Sequence, residues 1–170
     1  RIFITGGTFD KEYNELTGKL NFNDSNLPQL LEMGRCKVDA EIRTLMMVDS
    51  LEMTDNDREL IVHQCMQCEE NQIVITHGTD TMSETAKMLG DKIKNKTIVL
   101  TGAMIPIAFG SSDGLFNLGG AIAFAQALPH GVYVASDNYV CIRAYCPPYY
   151  SGWSFNAYTQ NPTGYNTTVS

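Results

Sequence analysis

Ile73-Val74-Ile75-Thr76-His77-Gly78-Thr79-Asp80-Thr81-Met82-Ser83-Glu84 is the stretch whose reading decides the fold. Its apolar opening is β-branched and continuous, as expected of a strand buried on both faces of a parallel sheet. The run stops at Thr76 and polar groups crowd in. Thr81 followed three residues later by Glu84 has the spacing of a capping box, so a helix carrying Ala86, Met88 and Leu89 is predicted to start there. Strand, tight turn and helix N-terminus thus follow one another. In a parallel α/β sheet such a turn lies at the carboxyl edge, where ligands bind. Free backbone N–H groups and the helix dipole favour a carboxylate or a developing oxyanion there. Two hydroxyls and a carboxylate within this turn suit acyl transfer. Helix capping alone also accounts for Thr and Asp at these positions.

The same unit recurs along the chain. Ile2-Phe3-Ile4-Thr5 reads as a first strand ending in Gly6-Gly7-Thr8, paired glycines that let a ligand approach the backbone closely. This is not the dinucleotide fingerprint, and no helical pattern follows directly. Phe9–Asp24 is polar, contains Tyr13 and Gly18, and is expected to be a long loop acting as a lid or mobile segment. A short helix over Leu27–Met33 has Pro28 in its first turn and Gly34 past its end. A strand near Ile42–Met47 ends in Asp49-Ser50-Leu51. Thr54 and Asp57 are spaced to cap a helix carrying Leu60, Ile61, Cys65 and Cys68. Thr97–Thr101 is another buried strand, ending in Gly102-Ala103-Met104. Asp113 is placed to cap an apolar helix over Leu115–Leu128, and Val132–Ala135 is the last clear strand. The alternation predicts an α/β fold, a doubly wound and mainly parallel sheet with helices on both faces, over residues 1–140.

From Cys141 the composition changes. The last 30 residues hold one charged side chain, Arg143, five of the eight tyrosines and the single Trp153. Residues 141–170 are therefore read as an atypical uncharged tail without a predicted fold. Either it docks through Tyr149, Tyr150 and Trp153, or it is an out-of-frame sequence.

A length of 170 residues suits one domain, and no apolar run reaches membrane-spanning length. The net charge of −7 argues against nucleic acid or an anionic membrane as partner. Five cysteines, with Cys65-x-x-Cys68 placed in a helix interior, fit reduced thiols packed in the core of a cytoplasmic protein better than a redox or metal motif. No signal peptide is visible.

Thr5-Gly6-Gly7-Thr8 and Thr76-His77-Gly78-Thr79-Asp80-Thr81 together resemble the two signature motifs of the bacterial-type L-asparaginase/glutaminase family. Thr101-Gly102-Ala103-Met104 with Asp113-Gly114-Leu115-Phe116-Asn117-Leu118 resembles a third, in matching order and spacing. The resemblance covers roughly Ile2–Ser136, the family's N-terminal domain. It implies hydrolysis of L-asparagine through an acyl-enzyme, with a small amino-acid amide as substrate, a homo-oligomer, and no metal or cofactor. By motif position Thr8 is the nucleophile and Tyr13 the lid tyrosine that activates it. Thr79 and Asp80 form a second hydroxyl–carboxylate cluster, with Asp80 binding the substrate ammonium. Ser50 holds the substrate α-carboxylate, while Gly7 and Gly78 contribute turn N–H groups to substrate binding.

Two departures stand out. The family's lysine that completes a Thr–Lys–Asp cluster is absent, since no lysine follows Lys96, and Leu51 stands where the family has Gln. The alternative implied is an impaired amino-acid-binding or interaction module that keeps the pocket.

Overall fold

The computed structural model of the chain describes residues 1–16, 18–22, 24–136 and 139–142. In chain order the elements are β1 (Ile2–Gly6), β2 (Lys11–Asn14), β3 (Lys19–Phe22), α1 (Leu27–Met33), β4 (Ile42–Val48) and α2 (Asp55–Gln67). β5 (Gln72–Thr76), α3 (Met82–Lys92), β6 (Thr97–Thr101), α4 (Gly114–Ala127), β7 (Gly131–Ser136) and β8 (Tyr139–Ile142) complete the set.

The main sheet has the order β4-β1-β5-β6-β7-β8, parallel except for β8, which pairs antiparallel with β7. Its continuous apolar strands follow from burial on both faces. α2 and α3 cover one face, where Ile61, Val62, Cys65, Met82, Ala86 and Leu89 meet Phe3, Ile73, Ile75, Ile98 and Leu100. α1 and α4 cover the other, where Leu27, Leu30, Leu118, Ala121 and Ala125 meet Ile2, Ile4, Val74 and Val99. Each such fully buried aliphatic side chain contributes about 1.5–3 kcal/mol. This is the expected doubly wound sheet. β1 lies centrally, with β4 on one side and β5 on the other. The chain therefore reverses its direction of winding at β1, and the crevice at the carboxyl ends of β1 and β5 is the switch point where ligands bind in such sheets.

Four local expectations need correction. The segment Phe9–Asp24 is not a featureless loop. A 3-10 turn over Thr8–Asp10 leads into the antiparallel hairpin of β2 and β3, with Tyr13 opposite Leu20. The Thr81–Glu84 capping box does not form. Thr81 makes no side-chain cap, and both side chains are engaged elsewhere. Asp113 likewise does not cap α4, because its carboxylate holds the preceding loop. Cys68 is not in a helix interior but is the C-cap of α2. Cys65 is buried in the core, and burial pushes its thiol up to about 12. The lysine Lys96, itself buried, donates to the carbonyls of Cys68 and Glu70 and so satisfies groups at that helix end. β8 pairs with β7 from Tyr139 through Ile142. Tyr149, Tyr150 and Trp153 lie outside the described residues.

Among the described residues no helix is long and apolar enough to cross a membrane, and no group of three or more His, Cys, Asp and Glu side chains could hold a metal ion.

Among the described residues, the capping box that forms is at α2. Thr54 accepts from the Asp57 backbone N–H, and Asp57 accepts from the Thr54 N–H. Thr54→Ala is expected to lower unfolding stability by about 1 kcal/mol, measured by urea denaturation. A loss within error would mean that the box contributes nothing in this context.

Candidate active site

Glycine sets the geometry at the switch point. Gly7 has φ 82° and ψ −170°, a region essentially restricted to glycine. A β-carbon built on it would stand 2.4 Å from the Gly78 nitrogen and 2.6 Å from the Gly78 α-carbon. The turn after β1 and the turn after β5 therefore touch backbone to backbone. Gly78 is tight on its other side as well, since a β-carbon there would lie 2.5 Å from Ser50 Oγ. The Thr79 methyl packs against the turn after β6, 2.9 Å from a β-carbon built at Gly102. Three strand ends and the Ser50 loop thus converge on Gly7, Gly78 and Thr79.

The hydroxyls and carboxylates around this point are largely uncommitted. Thr8 opens the 3-10 turn, half-buried, and its hydroxyl pairs with no described residue. Ser50 is buried, and its Oγ has no hydrogen-bond partner among the described residues. Thr79 is 8 % exposed, whereas Asp80 beside it is exposed and pairs with no described residue. Native proteins rarely leave buried polar atoms unpaired, so an orphaned hydroxyl at a switch point marks a place where a ligand or water completes the bonding. Thr76 and Thr101, in register on β5 and β6, also carry buried, unpaired hydroxyls.

Tyr13 is not brought to Thr8 by a hydrogen bond. It is 55 % exposed, and its hydroxyl faces the hairpin tip, 3.9 Å from a β-carbon built at Gly18. The hairpin is fastened at its base instead. Lys11 pairs with Asp49, next to Ser50, and holds that carboxyl below its ordinary range. On the inner side, buried Asp10 accepts from Ser25 Oγ at 2.8 Å and Asn26 N at 2.9 Å. Burial raises its carboxyl, against the lowering effect of those two bonds.

Several supporting residues escape a reading of motifs. His77 is fully buried and bridges the Gly78 carbonyl and Thr85 Oγ1, both at 2.8 Å. A carbonyl can only accept, so Nδ1 carries the hydrogen and Nε2 accepts from the Thr85 hydroxyl. The ring thereby fixes the peptide that leads into Thr79. Asp113 accepts from the Met104 and Ile105 backbone N–H groups and from Asn117, which also donates to the Gly102 carbonyl at 2.9 Å. His77 lies within the second motif and Asp113 and Asn117 within the third, but motif position alone assigned them no supporting role.

Burial pushes the His77 imidazole down to about 4. Its ring should therefore stay neutral in an NMR titration to about pH 5, and a midpoint near 6.5 would contradict the buried, singly protonated form. A depressed folded pKa in a base means that the unfolded chain takes up the proton first. The contribution of His77 is fully present above the unfolded value and fades as pH falls toward about 4. At about pH 5 the protein should have lost roughly 2 kcal/mol on this account, a dependence that His77→Gln removes in denaturant titrations at the two pH values.

The family described as Asparaginase, N-terminal matches residues 1–170. The chain is 36% identical over 141 residues to an L-asparaginase of Thermococcus kodakarensis, covering 79% of this chain and 42% of that protein. It is 34% identical over 135 residues to L-asparaginase 2 of Escherichia coli, covering 73% of this chain and 38% of that one. In three dimensions it is similar to the thermostable L-asparaginase from Thermococcus kodakarensis, with TM-score 0.72 and 30% identity over 84% of this chain and 45% of that chain. L-asparaginase I from Vibrio cholerae gives TM-score 0.71 and 28% identity over 84% of this chain and 46% of the other. The chain spans less than half the length of these relatives. Profile, identity and fold agree, and the chain belongs to the asparaginase family, of which it carries the N-terminal domain.

Proposed function

We propose that this chain forms the amino-acid site of an asparaginase-type amidohydrolase that converts L-asparagine to L-aspartate and ammonia. The observation that carries this reading is the convergence of Gly7, Gly78 and the Ser50 hydroxyl at the switch point, beside the Asp80 carboxylate, neither side chain being paired with a described residue. Such a site offers a hydroxyl and N–H groups to an α-carboxylate and a carboxylate to an α-ammonium. In this reading Thr8 Oγ attacks the side-chain amide carbon, and its proton is relayed through a neighbouring group to the amide nitrogen, so that the C–N bond breaks and ammonia leaves. Water then hydrolyses the threonine ester, releasing the carboxylate product. A threonine hydroxyl needs such activation to act as a nucleophile. Turn N–H groups next to the glycines would hold the tetrahedral oxyanion, each worth about 3–4 kcal/mol of transition-state stabilisation. The chemistry proposed calls for no metal or cofactor.

Assembly into a homo-oligomer belongs to the same proposal. Leu51 after β4 and Met104, Ile105 and Phe109 after β6 are exposed apolar side chains at the carboxyl edge, which a partner subunit could cover. A cytoplasmic location is proposed from the free thiols of Cys36, Cys65 and Cys68. A second reading, a binding module with impaired turnover, is favoured by the absence of any lysine after Lys96 and by the lack of a hydrogen bond between Tyr13 and Thr8.

Ammonia release from L-asparagine, measured beside calorimetric binding of L-aspartate, separates the two readings. Turnover is expected to disappear in Thr8→Val, a swap that keeps volume and removes the hydroxyl. Release at near the original rate would exclude Thr8 as nucleophile. Asp80→Asn is expected to weaken L-aspartate binding by about tenfold or more with the melting temperature little changed. A stability loss with unchanged affinity would make Asp80 a helix-start residue only.

A further inference from the structure

Arg58 lies outside every motif, on the first turns of α2, yet its guanidinium is almost completely buried. One arm, Nη1, donates to the Met53 carbonyl at 3.0 Å and lies 3.5 Å from Asp55. The other, Nη2, donates to Thr81 Oγ1 at 3.0 Å and pairs with Glu84 at 3.1 Å. Thr81 Oγ1 passes the connection on, donating to the Ser50 carbonyl at 2.8 Å. A single planar cation therefore joins the Ser50–Met53 loop after β4 to the Thr79–Thr81 turn after β5, strand ends that are separated in the sheet by β1. These are the two segments whose spacing sets the gap between Ser50 Oγ and Gly78.

We infer that Arg58 is a positioning residue that holds the Ser50 loop in register with the Gly78–Thr81 turn, and so sets the grip of the site on an amino-acid α-carboxylate. The inference rests on the amino-acid reading of the site for its ligand, but the mechanical coupling stands on the Arg58–Thr81–Ser50 chain alone. The fork geometry is essential to it. A lysine keeps the charge but has a single nitrogen, which cannot reach Met53 and Thr81 along the two arms at once. Thr81→Val removes the relay while leaving the guanidinium its other partners.

The test uses the whole chain with Arg58→Lys, Thr81→Val and the double variant. Each single change is expected to weaken calorimetric L-aspartate binding by about tenfold, and the double variant by no more than either alone, because both cut one connection. Where turnover is measurable, KM should rise with kcat little changed. Additive losses, or lowered melting temperatures with unchanged affinity, would overturn the proposal and leave Arg58 a stabilising residue. Hydrogen exchange judges the coupling without a ligand. The amides of Glu52 and Met53, bonded to Asp49 and Ser50, and those of Glu84 and Thr85, bonded to Thr81, should exchange faster together in each variant, with β5 amides unchanged. Acceleration on one side only would sink the coupling. If the unaltered protein neither binds L-aspartate nor releases ammonia, the amino-acid reading fails by itself, and exchange still decides on Arg58.

Discussion

The structure depends on two peptide backbones coming into contact with no side chain between them. Where Gly7 meets Gly78, a β-carbon would overlap main-chain atoms, which cannot move aside as the end of a flexible side chain can. That contact requires β1 and β5 to be neighbours and their turns to leave the sheet on converging paths. It also requires Ser50 to sit close behind Gly78. Any larger residue at either glycine would have to push two strands apart in a close-packed core, where interiors transmit strain instead of absorbing it.

Around this contact the charged groups are arranged as braces. Arg58, Asp10, Asp113 and the Lys11–Asp49 pair each tie a loop at the carboxyl edge to a different element. Arg58 is the buried cation among them, and stranding a buried charge without its partners typically costs about 3–5 kcal/mol. His77 follows the opposite strategy, staying neutral and offering one donor and one acceptor to fixed partners. Loops that carry uncommitted hydroxyls need such supports, since loops on a sheet edge are otherwise its most mobile part.

The sheet was legible because Ile2–Thr5, Ile73–Thr76 and Thr97–Thr101 are buried on both faces and so cannot be other than apolar. The glycine–threonine turns were legible because close backbone approach leaves few residue choices. The β2–β3 hairpin was not, because Lys11–Asn14 shows no apolar alternation, that of Lys19–Phe22 is only four residues long, and the ion pair that anchors them joins residues 38 apart. Arg58 carries no signal in the sequence beyond Asp55 three residues before it on the same helix. Its decisive partners lie across a helix-to-helix gap, at Thr81 and Glu84. The same contacts explain why the expected capping box at Thr81 is absent. A tertiary bond to a buried cation outweighs a local cap worth about 1 kcal/mol.

The strand order has a consequence in time as well as in space. β1 is the first strand of the chain but an interior one in the sheet, and it pairs Ile2 with Ile42 on one side and with Val74 on the other. During synthesis it has no second neighbour until Thr76 has been made, so its apolar run waits as exposed surface through some seventy residues of elongation. Parallel pairings of such separation close large loops before any contact rewards them, and they form slowly. The segment that holds the reacting threonine of the proposed site is thus open to misassociation until β5 has been made.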